Sequence, residues 1–135
     1  MIVLESRTLC VSIPCDWQAL YERIWRPENF PEWASGLSGA DMKQEGPLWK
    51  ATGPGGTVRI RFTDHNDFGI MDHWVELPNG QTVYVPIRVI ANGEGAEVQL
   101  TLFRLPGMTR DKFEEDAEWV RRDLEALKML ASGMS

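Results

Sequence analysis

Apolar and polar positions follow two periodicities along this chain, and their order predicts the architecture. From about Asp111 to Ala131 apolar residues recur every three or four positions, which indicates one stripe along an amphipathic helix. That stripe consists of Phe113, Ala117, Val120, Leu124, Leu127 and Ala131. In much of the preceding chain, apolar and polar residues alternate with a period of two, as they do in strands. A run of strands followed by one single-faced helix predicts that the helix packs on a sheet.

Three segments alternate clearly enough to predict strands with one apolar face. They are Thr57 to Thr63 (Val58, Ile60, Phe62), Gln81 to Ile90 (Val83, Val85, Ile87, Val89) and Glu97 to Arg104 (Val98, Leu100, Leu102). A first strand is predicted over Ile2 to Ser12, and weaker strands at about Leu37 to Gln44 and Leu48 to Thr52. The segment Phe68 to Glu76 alternates poorly, so its faces must be assigned from turn chemistry.

Short helices and turns separate the first strand from the others. Asp16 is a good N-cap for a helix over Trp17 to Trp25, which Pro27 interrupts. A second short helix is predicted around Pro31, ending near Ser35-Gly36. The Gly53-Pro54-Gly55-Gly56 segment predicts a plain hairpin turn, because a strand rather than a helix follows it.

The Asn79-Gly80 pair predicts a two-residue hairpin and thereby a register. This register pairs Trp74 with Val85 and Asp72 with Ile87, and directly paired residues share a face of the sheet. Asp72 and Trp74 are therefore expected on the apolar side, whereas Met71, His73 and Val75 are expected to point away.

A second hairpin, centred on Gly93-Glu94, tests the consistency of this assignment. A two-residue loop there pairs Val89 with Val98, Ile87 with Leu100 and Val85 with Leu102. Apolar residues then meet at every pair, which is the arrangement that fixes a register.

Composition narrows the class of protein. The chain has 135 residues, a net charge of −6, 43% hydrophobic and 25% charged residues. Those values are ordinary for a single globular domain, here 1–135, and the negative charge disfavours nucleic acid or an anionic membrane as a partner. Glu5 and Arg7 interrupt the first apolar stretch, so it does not match a signal peptide. With only two cysteines, Cys10 and Cys15, we expect a reduced, cytoplasmic chain.

The order of elements resembles a known superfamily. The segment Val11-Ser-Ile-Pro-Cys-Asp16 joins a strand to a helix through a proline corner, and Pro27 and Trp33 follow it. Together with the long last helix this resembles the SRPBCC superfamily, also called START-like or Bet v 1-like, and in particular small bacterial polyketide cyclase/dehydrase-like proteins. The resemblance implies an α+β helix-grip fold: a curved seven-stranded antiparallel sheet, two short helices and one long C-terminal helix.

The same resemblance implies a cavity between the sheet and the C-terminal helix. Members bind lipid-, polyketide- or aromatic-like molecules, some catalyse cyclisation or dehydration, and others are co-chaperones. Because the superfamily shares no catalytic set, no catalytic residue is carried over and fold alone does not decide function. The residues expected to contact a ligand are Asp72, Trp74, Ile60, Phe62, Val85, Ile87, Leu100, Trp33, Phe113, Val120 and Arg7.

Asp72 is the candidate acid or base. Placed among apolar neighbours, its carboxyl would have a raised pKa, which suits proton transfer. The alternative is a structural role in which it hydrogen-bonds a backbone group or an indole. Arg7 and Glu5 share the face of Leu9 by simple alternation and could bind a polar ligand group or each other, unless a bulge turns them to solvent.

Aromatic residues and histidines complete the candidates. Trp25, Phe30 and Trp33, with Phe113 and Trp119, are expected either at the cavity entrance or in an ordinary core. His65 and His73 do not suggest three convergent metal ligands, so neither a metal nor a cofactor is expected.

Two functions remain open at this point. The first is binding of a small, mostly apolar ligand, with the question of cyclase or dehydratase chemistry unresolved. The second is a co-chaperone-like protein-binding module whose cavity is filled by side chains. A cavity of hundreds of cubic ångströms would favour the first function. We expect a monomer or weak homodimer.

Overall fold

The computed structural model describes residues 1–37, 40–53 and 56–133. The first half contains strand β1 (Ser6–Ile13), helix α1 (Trp17–Ile24), two 3₁₀ segments (Pro27–Glu32 and Ser35–Leu37), β2 (Asp41–Glu45), β3 (Leu48–Gly53) and β4 (Gly56–Phe62). The second half contains β5 (His73–Glu76), β6 (Thr82–Val85), β7 (Ile87–Asn92), β8 (Gly95–Phe103) and helix α2 (Arg110–Ala131). The α+β class and the element order match the prediction. None of the helices described has the length and apolar character that crossing a bilayer requires.

The short helices begin where the capping signals predict. The Ala19 N–H donates to Oδ2 of Asp16 at 2.9 Å, which caps α1. The second predicted helix is a 3₁₀ segment instead, with Pro27 at its start and Pro31 inside it. Proline has no N–H to donate along an α-helix, so the tighter and shorter form is favoured here.

The strands form two antiparallel sheets in the part of the chain that the structure describes. One has the order β1-β8-β7 and the other β2-β3-β4-β5-β6. The single sheet of seven strands is therefore not confirmed. Pro86 separates β6 from β7 within the one strand predicted over Gln81 to Ile90, because it has no N–H for the ladder. Its carbonyl still accepts from the Thr101 N–H at 3.1 Å, so the chain stays beside β8.

The two predicted registers have different outcomes. Between β7 and β8, Val89 pairs with Val98 and Ile87 with Leu100, as predicted. Between β5 and β6, however, the prediction is wrong by one residue. The observed pairs are His73 with Val85, Trp74 with Tyr84 and Val75 with Val83.

Turn geometry explains the slip between β5 and β6. The loop has three residues, Pro78 to Gly80, closed by a bond from the Leu77 N–H to the Gln81 carbonyl at 2.8 Å. Gly80 has φ of 86°, which glycine adopts without strain. Because side chains alternate, one extra loop residue exchanges the two faces of β5. The other glycine turn joins Gly53 to its strand partner Gly56, while Pro54 and Gly55 lie outside the described residues.

Helix α2 packs its apolar stripe on β1 and β8. Thr109 caps it by accepting the Lys112 N–H at 3.1 Å. The stripe is confirmed: its buried members are Phe113, Ala117, Leu124, Leu127 and Ala131. Val120 is only half-buried, and it borders a cavity.

We predict that Leu124→Ala lowers the free energy of unfolding by about 2–5 kcal/mol, because it empties a buried leucine site. Leu124 is only 2% exposed. Urea denaturation measures the change, with Glu125→Ala on the exposed side of the same helix as the control. A loss under about 0.5 kcal/mol would show that the stripe is not part of the core.

Candidate functional site

A cavity of about 380 Å³ lies between α2 and the strands of both sheets. Its walls come from β4 to β8, from the two 3₁₀ segments and from α2. Most of the lining side chains are aliphatic or aromatic. The lining residues are Phe30, Trp33, Ala34, Gly36, Leu37, Val58, Ile60, His73, Val75, Val85, Ile87, Leu100, Leu102, Asp116, Trp119, Val120 and Asp123.

More than half of the predicted contact residues lie in these walls. They are Trp33, Ile60, Val85, Ile87, Leu100 and Val120. Of the aromatic group, Phe30 and Trp119 also line the cavity. Phe30 is buried, whereas Trp119 is 46% exposed, so Trp119 is the member placed at the mouth.

His73 is the polar group on the sheet side of the cavity. Its Nδ1 lies 3.4 Å from the Met71 carbonyl oxygen, and since that oxygen can only accept, Nδ1 carries the proton. Desolvation by burial lowers the pKa of His73 to about 4, although the Met71 carbonyl and the charge of Asp72 favour the cation. The ring is therefore neutral at pH 7, and Nε2 is a hydrogen-bond acceptor on a residue that lines an apolar cavity.

Two carboxylates lie on the helix side of the cavity. Asp123 accepts both the N–H and the hydroxyl of Ser35 on its Oδ1, at 3.1 and 2.6 Å. Asp116 pairs with Lys112 one turn earlier in α2, at 2.9 Å. Both acids are half-buried, and the bonds from Ser35 fix the 3₁₀ segment Ser35–Leu37 against α2.

Among the described residues, the Trp33 indole nitrogen, Nε1, is the one fully buried side-chain polar atom without a hydrogen-bond partner. A buried donor without an acceptor costs roughly 1–3 kcal/mol. Because this nitrogen is shielded from water, the ring must shift before the N–H can reach a ligand.

Asp72 is buried, as predicted, but it does not line the cavity. Its carboxylate accepts from Nε and Nη2 of Arg88 at 3.0 and 2.8 Å. It also accepts from the Tyr84 hydroxyl at 2.8 Å and from the Ile87 N–H at 3.0 Å. The observed register puts Asp72 on the outer face with Trp74.

The expected rise in the pKa of Asp72 is also wrong. Burial does oppose ionisation of this carboxyl, but hydrogen bonds from Arg88, Tyr84 and the Ile87 N–H outweigh it and lower the pKa. A carboxylate with three donors in place is a structural anchor, which was the alternative role considered for it.

Arg7 and Phe113 are not cavity residues either. Arg7 lies on the same face of β1 as Leu9, without a bulge, but it forms a two-bond ion pair with Glu114 of α2 at 2.6 and 2.7 Å. Its guanidinium lies 5.0 Å from the centre of the Phe113 ring, which is fully buried. Glu5 binds Arg110 in the same way at 2.7 Å. These ion pairs connect β1 and the residue before it to the N-terminal turns of α2.

Two further predicted residues line a different, larger cleft of about 660 Å³. Phe62 and Trp74 belong to its walls, and so does Trp25. Trp74 lies on the outer face of β5, and the guanidinium of Arg61 lies 4.4 Å from the centre of the Trp74 ring. This cleft combines exposed charged residues with aromatic ones, so it matches an apolar ligand less well than the inner cavity does.

The sequence prediction missed Asp116 and Asp123 of α2, and it placed His73 and Val75 on the wrong face of the sheet. Both were assigned to the outer face because the Asn79-Gly80 turn was taken to have two residues. A signal was available, since the observed register pairs Val75 with Val83 and therefore apolar with apolar. Among the described residues no group of three His, Cys, Asp or Glu is arranged to hold a metal ion.

Comparisons with known proteins agree on the fold. No family model matches the sequence, and no curated protein matches it. Solved structures do match: the protein XoxI from Bacillus cereus superposes with a TM-score of 0.73 at 14% identity, over 94% of this chain and 95% of XoxI. Ara h 8.0201, a Bet v 1 allergen, gives a TM-score of 0.61 at 14% identity, over 95% of this chain and 97% of the allergen.

A third match is DynU16, a protein of the dynemicin biosynthetic locus. Its TM-score is 0.71 at 14% identity, over 96% of this chain but only 48% of DynU16. The chain thus spans about half the length of DynU16. At these identities the matches establish the fold alone, and the fold is the SRPBCC or Bet v 1-like one, as the sequence resemblance predicted.

We predict that Asp72→Asn destabilises the protein at pH 7 by about 1–3 kcal/mol, because it removes the charge that three donors stabilise. A carboxyl whose folded pKa is lowered stabilises the fold fully above its unfolded pKa, about 3.9, and progressively less below it. The wild-type free energy of unfolding should therefore fall below about pH 4, and the variant should show less of this fall. Urea titrations at several pH values measure it, with exposed Asp67→Asn as the control. A higher free energy of unfolding for Asp72→Asn at pH 7 would contradict the structural role of this carboxylate.

His73 should act in a separate pH range. Its folded pKa of about 4 lies below its ordinary value of 6.5, so the unfolded state binds the proton first. Stability is then lost as pH falls from about 6.5 to about 4. His73→Phe should remove this slope, whereas His65→Phe should retain it. An NMR titration that places the pKa of His73 at 6 or above would contradict the burial of its ring.

Proposed function

We propose that this protein binds a small, mostly apolar molecule in the cavity between its sheets and α2. The observation that carries the proposal is an open space of about 380 Å³ with largely apolar walls. Binding sites for small molecules commonly have about 300–1,000 Å³, and a few polar groups orient the ligand in them. The volume here lies near the lower limit, which favours compact ring systems over long-chain lipids.

His73 supplies an orienting contact in this proposal. A ligand hydroxyl would donate to its neutral Nε2 while the rest of the molecule contacts Ile60, Val85 and Leu100. A hydroxyl buried without such a partner costs free energy, so one correctly placed acceptor selects among apolar ligands. A phenol-like or polyketide-like compound has this combination of ring and hydroxyl.

Two observations support the proposal over the alternatives. A protein-binding module with a filled interior predicts tight packing, whereas the space under α2 is open. A cyclase or dehydratase using Asp72 is not supported, because that carboxylate is occupied by Arg88 and Tyr84 on the outer face.

The occurrence of DynU16 in a polyketide locus makes polyketide-like aromatics the first compounds to test. A cytoplasmic monomer or weak dimer stays a prediction.

We predict that 2-naphthol binds the protein and raises its melting temperature by mass action. Val120→Phe places a larger side chain in the cavity and should weaken binding at least tenfold. Met129→Phe makes a similar change at a position of the same helix that is 72% exposed, and it should bind normally. Tryptophan fluorescence and calorimetry measure the affinity. Equal affinity for both variants would place the ligand outside the cavity.

The role of His73 has its own test. His73→Phe retains an aromatic ring but removes the acceptor, so affinity for 2-naphthol should fall roughly tenfold, as the loss of one buried hydrogen bond predicts. Affinity for naphthalene, which has no hydroxyl, should remain within about twofold. Equal losses for both compounds would mean that His73 contributes shape rather than a hydrogen bond.

A further inference from the structure

Building on the proposed function, we propose that the cavity favours ligands with a cationic end, namely an apolar ring system that carries a protonated amine. The ring would occupy the apolar interior, and the ammonium group would lie at the mouth beside Asp116 and Asp123. This assigns a class of ligand to the cavity from the charges that surround it.

The charged groups of the lining all have the same sign. Among the described lining residues, two are carboxylates, Asp116 and Asp123, and none is lysine or arginine. His73 is neutral, so it does not offset them. A cavity bordered by one sign of charge and by walls of low polarity concentrates ions of the opposite sign. An anionic ligand such as a fatty acid would meet two negative charges and no positive one in this lining.

Asp123 is the better fixed of the two acids. Its Oδ1 accepts the two bonds from Ser35, which hold the carboxylate in one orientation. In the described part of the chain, no side chain or backbone N–H donates to its Oδ2. That oxygen can accept an ammonium N–H without breaking an existing bond, and a preoriented acceptor adds affinity because little order is lost on binding.

Asp116 is paired, but with a side chain that can leave. Lys112 lies one helical turn away and is 54% exposed. An ion pair at this spacing on a helix surface, with one exposed partner, contributes little to stability, so a ligand ammonium can replace Lys112. The two acids lie seven residues apart on α2 and hence on one side of the helix. Trp119 lies between them in sequence and is 46% exposed. The guanidinium of Arg122, 5.7 Å from the centre of the Trp119 ring, already makes the cation–π contact that this aromatic face offers.

Three probes that share one naphthalene ring system but differ in charge test this inference. At pH 7 and low salt, 1-naphthylmethylamine is a cation, 1-naphthalenemethanol is neutral and 1-naphthoate is an anion. The amine should bind at least tenfold tighter than the naphthoate, with the alcohol between them. High salt should reduce this difference, because screening weakens the interactions of charges at the mouth.

Substitutions in α2 assign the effect to the two carboxylates. Asp116→Asn with Asp123→Asn should weaken amine binding about tenfold and leave the alcohol within about twofold. Asparagine at position 123 retains an oxygen that can accept from Ser35. Glu115→Gln is the matched control for Asp116→Asn alone, because it removes one negative charge at an exposed neighbour outside the lining, and it should leave amine binding unchanged. If the double variant unfolds, Asp116→Asn alone should weaken amine binding measurably.

The outcomes separate this inference from the function on which it rests. If none of the three probes binds, the proposed function fails. If the alcohol binds but the amine is no tighter than the naphthoate, the cavity binds apolar molecules without selecting a cation, and the inference is overturned. Amine binding that Glu115→Gln weakens as much as Asp116→Asn does would reflect net charge alone, and it would overturn the inference too.

Discussion

The buried carboxylate of Asp72 is the interaction on which the arrangement of the two sheets depends. The segment 69–71 hydrogen-bonds to β7: the Val89 N–H donates to the Gly69 carbonyl at 2.9 Å, and the Met71 N–H donates to the Ile87 carbonyl at 2.8 Å. The next residues, in β5, pair with β6 instead. Asp72 therefore lies opposite Pro86, where the ladder lacks a donor. Its carboxylate takes the Ile87 N–H and joins Tyr84 of β6 to Arg88 of β7. One side chain thus joins the two sheets at the position where Pro86 leaves the backbone ladder without a donor.

This anchor also explains why the inner face can remain apolar. The charges that connect the sheets are on the outer face, where Arg88 is 45% exposed at its side chain and remains hydrated. Side-chain alternation then turns Met71, His73 and Val75 inward, towards the core and the cavity. A buried ion pair needs good geometry to offset its desolvation, and here four hydrogen bonds supply that geometry. The cavity under α2 needs no ion pair of its own on the sheet side.

The sequence predicted α1, α2 with its apolar stripe and most of the strands, because each depends on local periodicity and capping. It also predicted the β7–β8 register, since Gly93-Glu94 is a two-residue turn with apolar pairs beside it. It failed at β5, where one extra residue in the Pro78 to Gly80 loop exchanged the faces. That single slip placed Asp72 inside and His73 outside. The site is harder to predict than the fold, because its polar groups depend on turn length and on partners distant in sequence.

The ring of Phe62 lies where the outer cleft comes nearest to the aromatic wall of the inner cavity. Phe62 belongs to the walls of the outer cleft, yet its ring centre lies only 4.7 Å from that of Phe30 and 5.5 Å from that of His73, and both of these line the inner cavity. Phe62 thus stands between the outer cleft and two aromatic side chains of the inner cavity. For protein engineering, position 62 is therefore the first place at which to shorten a side chain in order to join the two spaces and admit elongated compounds.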